Sequence, residues 1–529
     1  MTHEALTHVH VAIIGSGFSG LGAAIRLRQE GMHDFVILER ANDVGGTWRD
    51  NSYPGCACDV PSNLYSFSFA PNPGWTRAFS PQPEIFAYLQ GCANRYGILP
   101  HIRFGHTVTG AAWDEDTRVW RIETSKGAYT ANIVIAGVGG LSEPSVPKLP
   151  GLDRFEGAAF HSARWDHGID LTGRSVAVVG TGASAIQFIP AIQPKVARLH
   201  VFQRTPPWIL PRRNREVNER AHAVFRALPA AQMLARGGVY AMTELFGTGF
   251  RHPWLMRPLQ HAAIGYLERA VEDPILRAKL TPNYTIGCKR VLLSNTYFRA
   301  MTQNNVDVVT AGIQEVRARS IVTKDGQEHS VDAILFGTGF QVTDIPFGKF
   351  VRGRDGRSLD ELWNGSPQAY LGTSVAGFPN FFLLLGPNTG LGHTSIVYMI
   401  ESQIAHIVKA LRYMRDHGVA TVEPRPEAQA AFIADVDRRL RTTVWNTGGC
   451  ASWYIDKTGR NSTLWPDATW RFRKLLSKFN PDEYRMDHPR PETALAPAPA
   501  RSPNDRELLG RAPARAATGV VTTDLGAQS

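Results

Sequence analysis

The sequence predicts an α/β protein made of two lobes of the dinucleotide-binding type, the second carrying a helical insertion. Three observations predict it: two copies of a strand–glycine turn–helix–strand pattern, a third strand ending in glycines, and a block without β-branched runs inside the second copy.

The first copy opens on the apolar run Val9–Ile14, followed by the turn Gly15-Ser16-Gly17-Phe18-Ser19-Gly20 and a helical pattern through Gln29. Phe35–Leu38 is the next strand and ends in Glu39. The second copy places Ser175–Val179 before Gly180-Thr181-Gly182-Ala183-Ser184-Ala185, with Leu199–Phe202 as its next strand. A third junction, Ala333–Gly339, reads as a late strand returning the chain to the first lobe. The Ala-, Leu-, Arg- and Met-rich text from about Asn214 to Asp273 predicts helices. The Pro/Ala/Arg-rich end, from about Met486, cannot bury a core and reads as a disordered tail. The expected domains are 1–145 with 337–485, 150–213 with 285–336, the insertion 214–284 and the tail 486–529.

Composition excludes several classes. With 529 residues, 43% hydrophobic and 20% charged, the chain has material for a large core. The net charge of +10 is scattered, without a run of five like charges, so it reads as solvated surface with a few phosphate-binding arginines, not a nucleic-acid track. No apolar run reaches the roughly 18 residues of a membrane span, and Tyr370–Pro387, the longest candidate, reads as buried core. The start shows no leader pattern. Five cysteines argue against a disulfide framework and for a reducing, cytoplasmic setting. The spacing Cys56-x-Cys58 is too tight for a redox relay. The 17 histidines show no metal-ligand spacing, and His3, His8 and His10 read as a mobile start.

The two glycine turns differ in the residue that closes the next strand. In each, glycines permit a tight turn and close approach of a pyrophosphate to a helix N-terminus, whose N–H groups are unpaired. Glu39 lies 24 residues after Gly15, and Arg204 lies 24 after Gly180. A carboxylate there accepts bonds from a ribose 2′-hydroxyl, whereas a guanidinium binds a 2′-phosphate. The first lobe therefore suits FAD. The second, with Thr205 adding a hydroxyl, suits NADPH, contacted along Gly180, Thr181, Gly182, Ser184 and Ala185.

Phe155-Glu156-Gly157-Ala158-Ala159-Phe160-His161-Ser162-Ala163-Arg164-Trp165-Asp166 matches F-x-G-x(3)-H-x(3)-W-[P/D]. The chain thereby resembles the type I Baeyer–Villiger monooxygenases, and the resemblance runs over about 9–480. Gly45-Gly46-Thr47-Trp48 is similar to the family's second FAD segment. Cys58-Asp59-Val60-Pro61 with Tyr65 is similar to its active-site stretch. The resemblance implies FAD contacts at Thr47, Trp48, Asp59, Tyr65, Val108 and Ile396, and NADP contacts at Ala57, Cys58, Lys289, Arg290 and Trp453. The segment Gly449–Trp453 resembles the family's mobile loop, which implies that Trp453 covers the dinucleotide.

The resemblance also implies ketone oxidation to an ester or lactone with NADPH and O2 through a flavin C(4a)-peroxide, with sulfide oxidation alongside. Arg290 is the implied catalytic cation and Asp59 its orienting partner. His161 and Trp165 belong to an interdomain linker, with a hinge or packing role for His161. An N- or S-oxidising flavin monooxygenase is the alternative, and Arg290 with Asp59 argues against it. The segments Gly386–Tyr398 and Trp445–Trp470 resemble relatives acting on open-chain or aryl ketones more than those acting on cyclohexanone.

Overall fold

A computed structural model describes residues 6–344 and 346–488. The first turn is as the pattern predicts: strand Thr7–Ile14, helix Phe18–Gln29 and strand Phe35–Glu39. All five residues of Phe35–Glu39 are buried, as suits a parallel strand covered on both faces. Thr7–Ile14 lies in parallel between Phe35–Glu39 and Gly127–Ala136. The sheet continues through Ile102–Phe104 on one side and through antiparallel Val119–Thr124 and Val108–Asp114 on the other. Phe381–Leu383, inside the apolar Tyr370–Pro387 segment, also pairs with Gly127–Ala136. The late part of the chain thus completes the first lobe.

The second lobe holds a five-stranded parallel sheet in the order Val306–Val309, Arg198–Phe202, Ser175–Val179, Ala333–Phe336, Ala158–His161. Ala333–Phe336 is fully buried inside the second sheet, and the chain leaves it at Gly337. One expectation is corrected here, the linker reading of the fingerprint. Ala158–His161 is an edge strand of the same sheet, so the Phe155–Asp166 fingerprint is part of the second lobe and not a linker. Four residues are too few to show a strand period, which hides this edge from the sequence.

The two crossings between lobes lie against each other. Ser145 N–H donates to Gly339 O at 2.9 Å, and Gln341 N–H donates to Glu143 O at 2.9 Å. The insertion is helical, with Glu219–Ala227, Pro229–Arg251 and Arg257–Ala270, then Pro274–Leu280.

Two terminal expectations also change. His8 and His10 lie in the first strand, bonded to Thr130, Asn132 and Asp34, because Asn132 and Thr130 flank them on the paired strand. His3 lies outside the described residues. Tyr484–Asp487 forms a strand with Thr421–Pro424, so Met486 and Asp487 are not tail. The remainder of the expected tail, from 489, lies outside the described residues. No helix among the described residues is long and apolar enough to cross a membrane.

Candidate active site

Both glycine turns are built the same way. Gly15 has φ +91°, and a Cβ there would stand 2.8 Å from the carbonyl oxygen of Gly137, the residue after the adjacent parallel strand. Gly180 has φ +102°, and its Cβ would stand 2.6 Å from the carbonyl oxygen of Gly337, which also comes directly after the adjacent strand. Only glycine fits such positions. Neither of the two helices has a side-chain cap or an acidic residue in its first turn, so N–H groups near Gly17, Phe18, Ser19, Gly20 and near Gly182, Ser184, Ala185 can meet an anion.

Around the first turn, Glu39 is buried and accepts from Ser16 N–H at 2.9 Å and Ser16 Oγ at 2.6 Å. Its other oxygen accepts from Ala41 N–H at 2.9 Å and Arg49 Nη1 at 3.1 Å. A ribose hydroxyl bonded there would replace or share one of these donors. His106 N–H donates to Glu39 O at 2.8 Å, two residues before Val108, where the strand Val108–Asp114 begins. Trp48, next to Thr47, donates from Nε1 to the Tyr65 hydroxyl at 3.0 Å. The Tyr65 ring also stands edge-on to Phe18 at 5.2 Å. Phe18, Trp48 and Tyr65 thus form one aromatic wall. Ile396 starts the helix Ile396–His417 and packs on the main core.

Around the second turn, Thr181 Oγ1 donates to Thr205 O at 3.3 Å, joining the turn to the segment just after the strand Arg198–Phe202, where Arg204 lies. Arg204 is exposed, and Lys289 lies 5.2 Å from the Tyr284 ring centroid. Burial and the neighbouring charge of Arg204 hold the Lys289 ammonium below its usual range. Among the described residues neither cation has an ion-pair partner. Two adjacent uncompensated cations beside a hydroxyl fit a 2′-phosphate. Trp453 is 51% exposed, with its ring centroid 4.4 Å from that of Tyr454.

Asp59 and Arg290 come together from opposite lobes. Arg290 donates from Nε to Asp59 Oδ2 at 2.5 Å and from Nη2 to Oδ1 at 2.8 Å, a bidentate pair. Its Nη1 donates to Leu391 O at 3.3 Å. Burial alone would raise the Asp59 carboxyl, but the charge and hydrogen bonds of Arg290, with the charge of Arg212, outweigh it and hold Asp59 ionised below its ordinary range. Burial likewise opposes the Arg290 charge, and Asp59 outweighs it, raising the guanidinium.

His161 is buried and accepts at Nδ1 from Ala163 N–H at 3.1 Å. Burial pushes it down to about 4, so it is neutral near pH 7. Trp165 packs at 5.3 Å from the Phe160 ring and 5.4 Å from the Phe188 ring of the second-lobe helix. Phe155 packs on a core of the same lobe, and a Cβ at Gly157 would overlap the Asp332 carbonyl. Asp166 caps the next turn through Gly168 N–H at 2.9 Å. The fingerprint therefore shapes the second lobe, not the reacting centre.

Two further residues have no signal in the sequence. Gln187, on the second-lobe helix, brackets the peptide of Ala57: its Oε1 accepts from Ala57 N–H at 3.2 Å and its Nε2 donates to Ala57 O at 3.0 Å. Arg212 donates to the carbonyl of Cys58 and stands 5.1 Å from the Phe79 ring centroid. Both fix the 57–59 stretch from the other lobe. Cys56 and Cys58 are free and buried, and burial pushes the Cys56 thiol up to about 12. The expected lack of disulfides is corrected by a bond between Cys288 and Cys450, which are 162 positions apart. Folding brings them together, and a cysteine count carries no trace of that.

Comparison with known proteins identifies the class. A family model described as flavin-binding monooxygenase-like matches residues 8–229. A Baeyer–Villiger monooxygenase of Streptomyces coelicolor is 53% identical over 499 residues, covering 94% of this chain and 96% of that protein. One from Pseudomonas aeruginosa is 51% identical, covering 92% and 93%. Among solved structures, the closed form of cyclohexanone monooxygenase is 30% identical with a TM-score of 0.83, covering 92% of this chain and all (100%) of that one. OTEMO in complex with FAD and NADP is 27% identical with a TM-score of 0.83, covering 90% and 99%. Paired glycine turns, an acid–arginine pair joining the two lobes and full-length relatives lead to one assignment: the chain is a flavin-dependent enzyme of the Baeyer–Villiger monooxygenase family.

Proposed function

We propose that this enzyme uses NADPH and O2 to insert one oxygen atom beside a ketone carbonyl, giving an ester or lactone. The Asp59–Arg290 pair, which joins the two lobes, carries this reading. FAD, held by the Gly15 turn and Glu39, supplies hydride acceptance from NADPH and activation of O2. The remaining work falls to the protein. Arg290 keeps a fixed positive charge where negative charge develops on oxygen. Asp59 holds the plane of the guanidinium through two bonds, and Leu391 O takes a third, leaving two of the five N–H donors for the reacting oxygens. Arg204, Thr205 and Lys289 hold the 2′-phosphate. Trp453 covers the dinucleotide and excludes water.

Oxidation at N or S as the main reaction needs a neutral, protonated oxidant acting as electrophile. A buffered cation such as Arg290 favours the anion and opposes that reading, so sulfides are a side reaction. The substrates are open-chain or aryl ketones, a reading supported by the Gly386–Tyr398 segment that carries Leu391.

The purified holoenzyme is given NADPH and a ketone panel, and products are counted. Ester or lactone should form in proportion to NADPH consumed, with open-chain or aryl ketones showing higher kcat/KM than cyclohexanone. NADPH oxidation yielding hydrogen peroxide alone across the panel overturns the reading.

A further inference from the structure

The cysteine preceding Lys289 is bonded to the cysteine three residues before Trp453. This joins two separate walls of the candidate site. On one side, buried Cys288 runs directly into Lys289 and Arg290. On the other, Cys450 comes after Gly449, which has φ +74°, and leads into the exposed Trp453 and the buried Tyr454.

The attachments of the Trp453 turn are few. Thr285 N–H donates to Gly448 O at 3.0 Å, on the near side of the Gly449 bend. Beyond that bend, Tyr454 packs by its hydroxyl near Arg290, and burial pushes that hydroxyl up to about 12. Between these points, among the described residues, the disulfide is the link from 450–453 to the 285–290 segment. Breaking it would leave 450–453 without a covalent tie between the Gly449 bend and the buried Tyr454.

Reactivity is confined to this pair. Cys56, Cys58 and Cys92 are buried, and burial raises all three thiols, which removes their nucleophilic form near neutral pH. Cys450 is partly exposed whereas Cys288 is buried, so a soluble thiol approaches the bond from the Cys450 side.

We propose that Cys288–Cys450 is a reversible redox site that sets how firmly the dinucleotide is held. Oxidised, it ties the Trp453 turn to the Lys289–Arg290 segment. Reduced, it releases the turn and weakens retention of the nucleotide. The reductant is a dithiol. One thiolate attacks Cys450 Sγ, the S–S bond breaks, and Cys288 leaves as thiolate. The second thiol then displaces Cys450 from the mixed disulfide. Two electrons and two protons pass to the protein, giving two thiols, and the dithiol becomes a cyclic disulfide. The proposal rests on reading Lys289 and Trp453 as dinucleotide contacts.

The test uses the FAD-loaded protein with dithiothreitol as the dithiol and NADP⁺ as the binding probe, with no ketone present. Alkylation after unfolding should count three thiols in the oxidised protein and five after reduction. Reduction should raise the NADP⁺ Kd several-fold. Cys450→Ser should match the reduced protein and be indifferent to dithiothreitol. With NADPH and ketone added, the reduced protein should divert a larger fraction of NADPH into hydrogen peroxide.

Five thiols in protein exposed to oxidised dithiothreitol would remove the site. Three thiols with an unchanged NADP⁺ Kd on reduction would remove its role. If neither form binds NADP⁺, the dinucleotide assignment itself falls and the tether's role with it, while the thiol count still reports the bond. Should Cys450→Ser fold poorly, the reduced wild-type protein supplies the same comparison.

Discussion

At residue 290 the requirement is a charge that cannot be lost, held in one plane. Arg290→Ala should leave reduction of the flavin by NADPH intact and cut ester formation by on the order of 10²–10³-fold, the usual cost of removing one electrostatic stabiliser. Stopped-flow reduction and product analysis separate the two steps, and retained ester formation would strip Arg290 of its role. Arg204→Ala should raise the NADPH KM on the order of tenfold and narrow the preference over NADH, because a guanidinium–phosphate contact is worth about 1.5–3 kcal/mol in favourable settings. An unchanged preference would place phosphate recognition on Lys289. The sequence offered Arg290 and Asp59 only through the resemblance. They stand 231 positions apart, and nothing local in either stretch announces the other. Gln187 and Arg212 stayed hidden for the same reason, since each acts on a backbone group of the opposite lobe.

The elements were more legible than the contacts between them. Both strand–turn–helix units and the helical insertion were readable, because continuous apolar runs and glycine spacing are local signals. That Ala333–Phe336 pairs with Ala158–His161 on one side and Ser175–Val179 on the other was not readable, because parallel pairing is a non-local choice between similar buried strands. The two turns also permit a test of which cofactor each holds. Gly15→Ala and Gly180→Ala each force a Cβ into a positive-φ residue facing a carbonyl oxygen. Gly15→Ala should purify with little FAD. Gly180→Ala should keep the flavin absorbance and bind NADPH at least about tenfold more weakly, equivalent to about 1.4 kcal/mol. Loss of FAD from Gly180→Ala with NADPH binding intact would reverse the assignment drawn from Glu39 and Arg204.

For the molecule as a whole, stability should depend on pH through histidines folded in their neutral form. His161 lies on the edge strand of the second lobe, and burial pushes it down to about 4. His406 lies inside the helix Ile396–His417 of the first lobe, its Nε2 within 2.9 Å of the Tyr484 hydroxyl, and burial pushes it to about 4 as well. An unfolded histidine titrates near 6.5, so between about pH 6.5 and 4 the unfolded chain binds more protons than the folded one. The stabilisation is fully present above pH 6.5 and is lost as pH falls toward 4. By pH 5 each histidine should cost on the order of 2 kcal/mol. Asp59 adds little between pH 7 and 5, because its carboxyl is ionised there in both the folded and the unfolded chain; the lowering by Arg290 and Arg212 matters only below about pH 5. The Tm, measured at constant FAD saturation so that ligand linkage does not intrude, should fall steadily from pH 7 to 5. His406→Gln removes one titrating group and should flatten that slope by the equivalent of about one proton. A Tm independent of pH over this range, or a slope unchanged in His406→Gln, would show that these histidines are not held neutral by the fold.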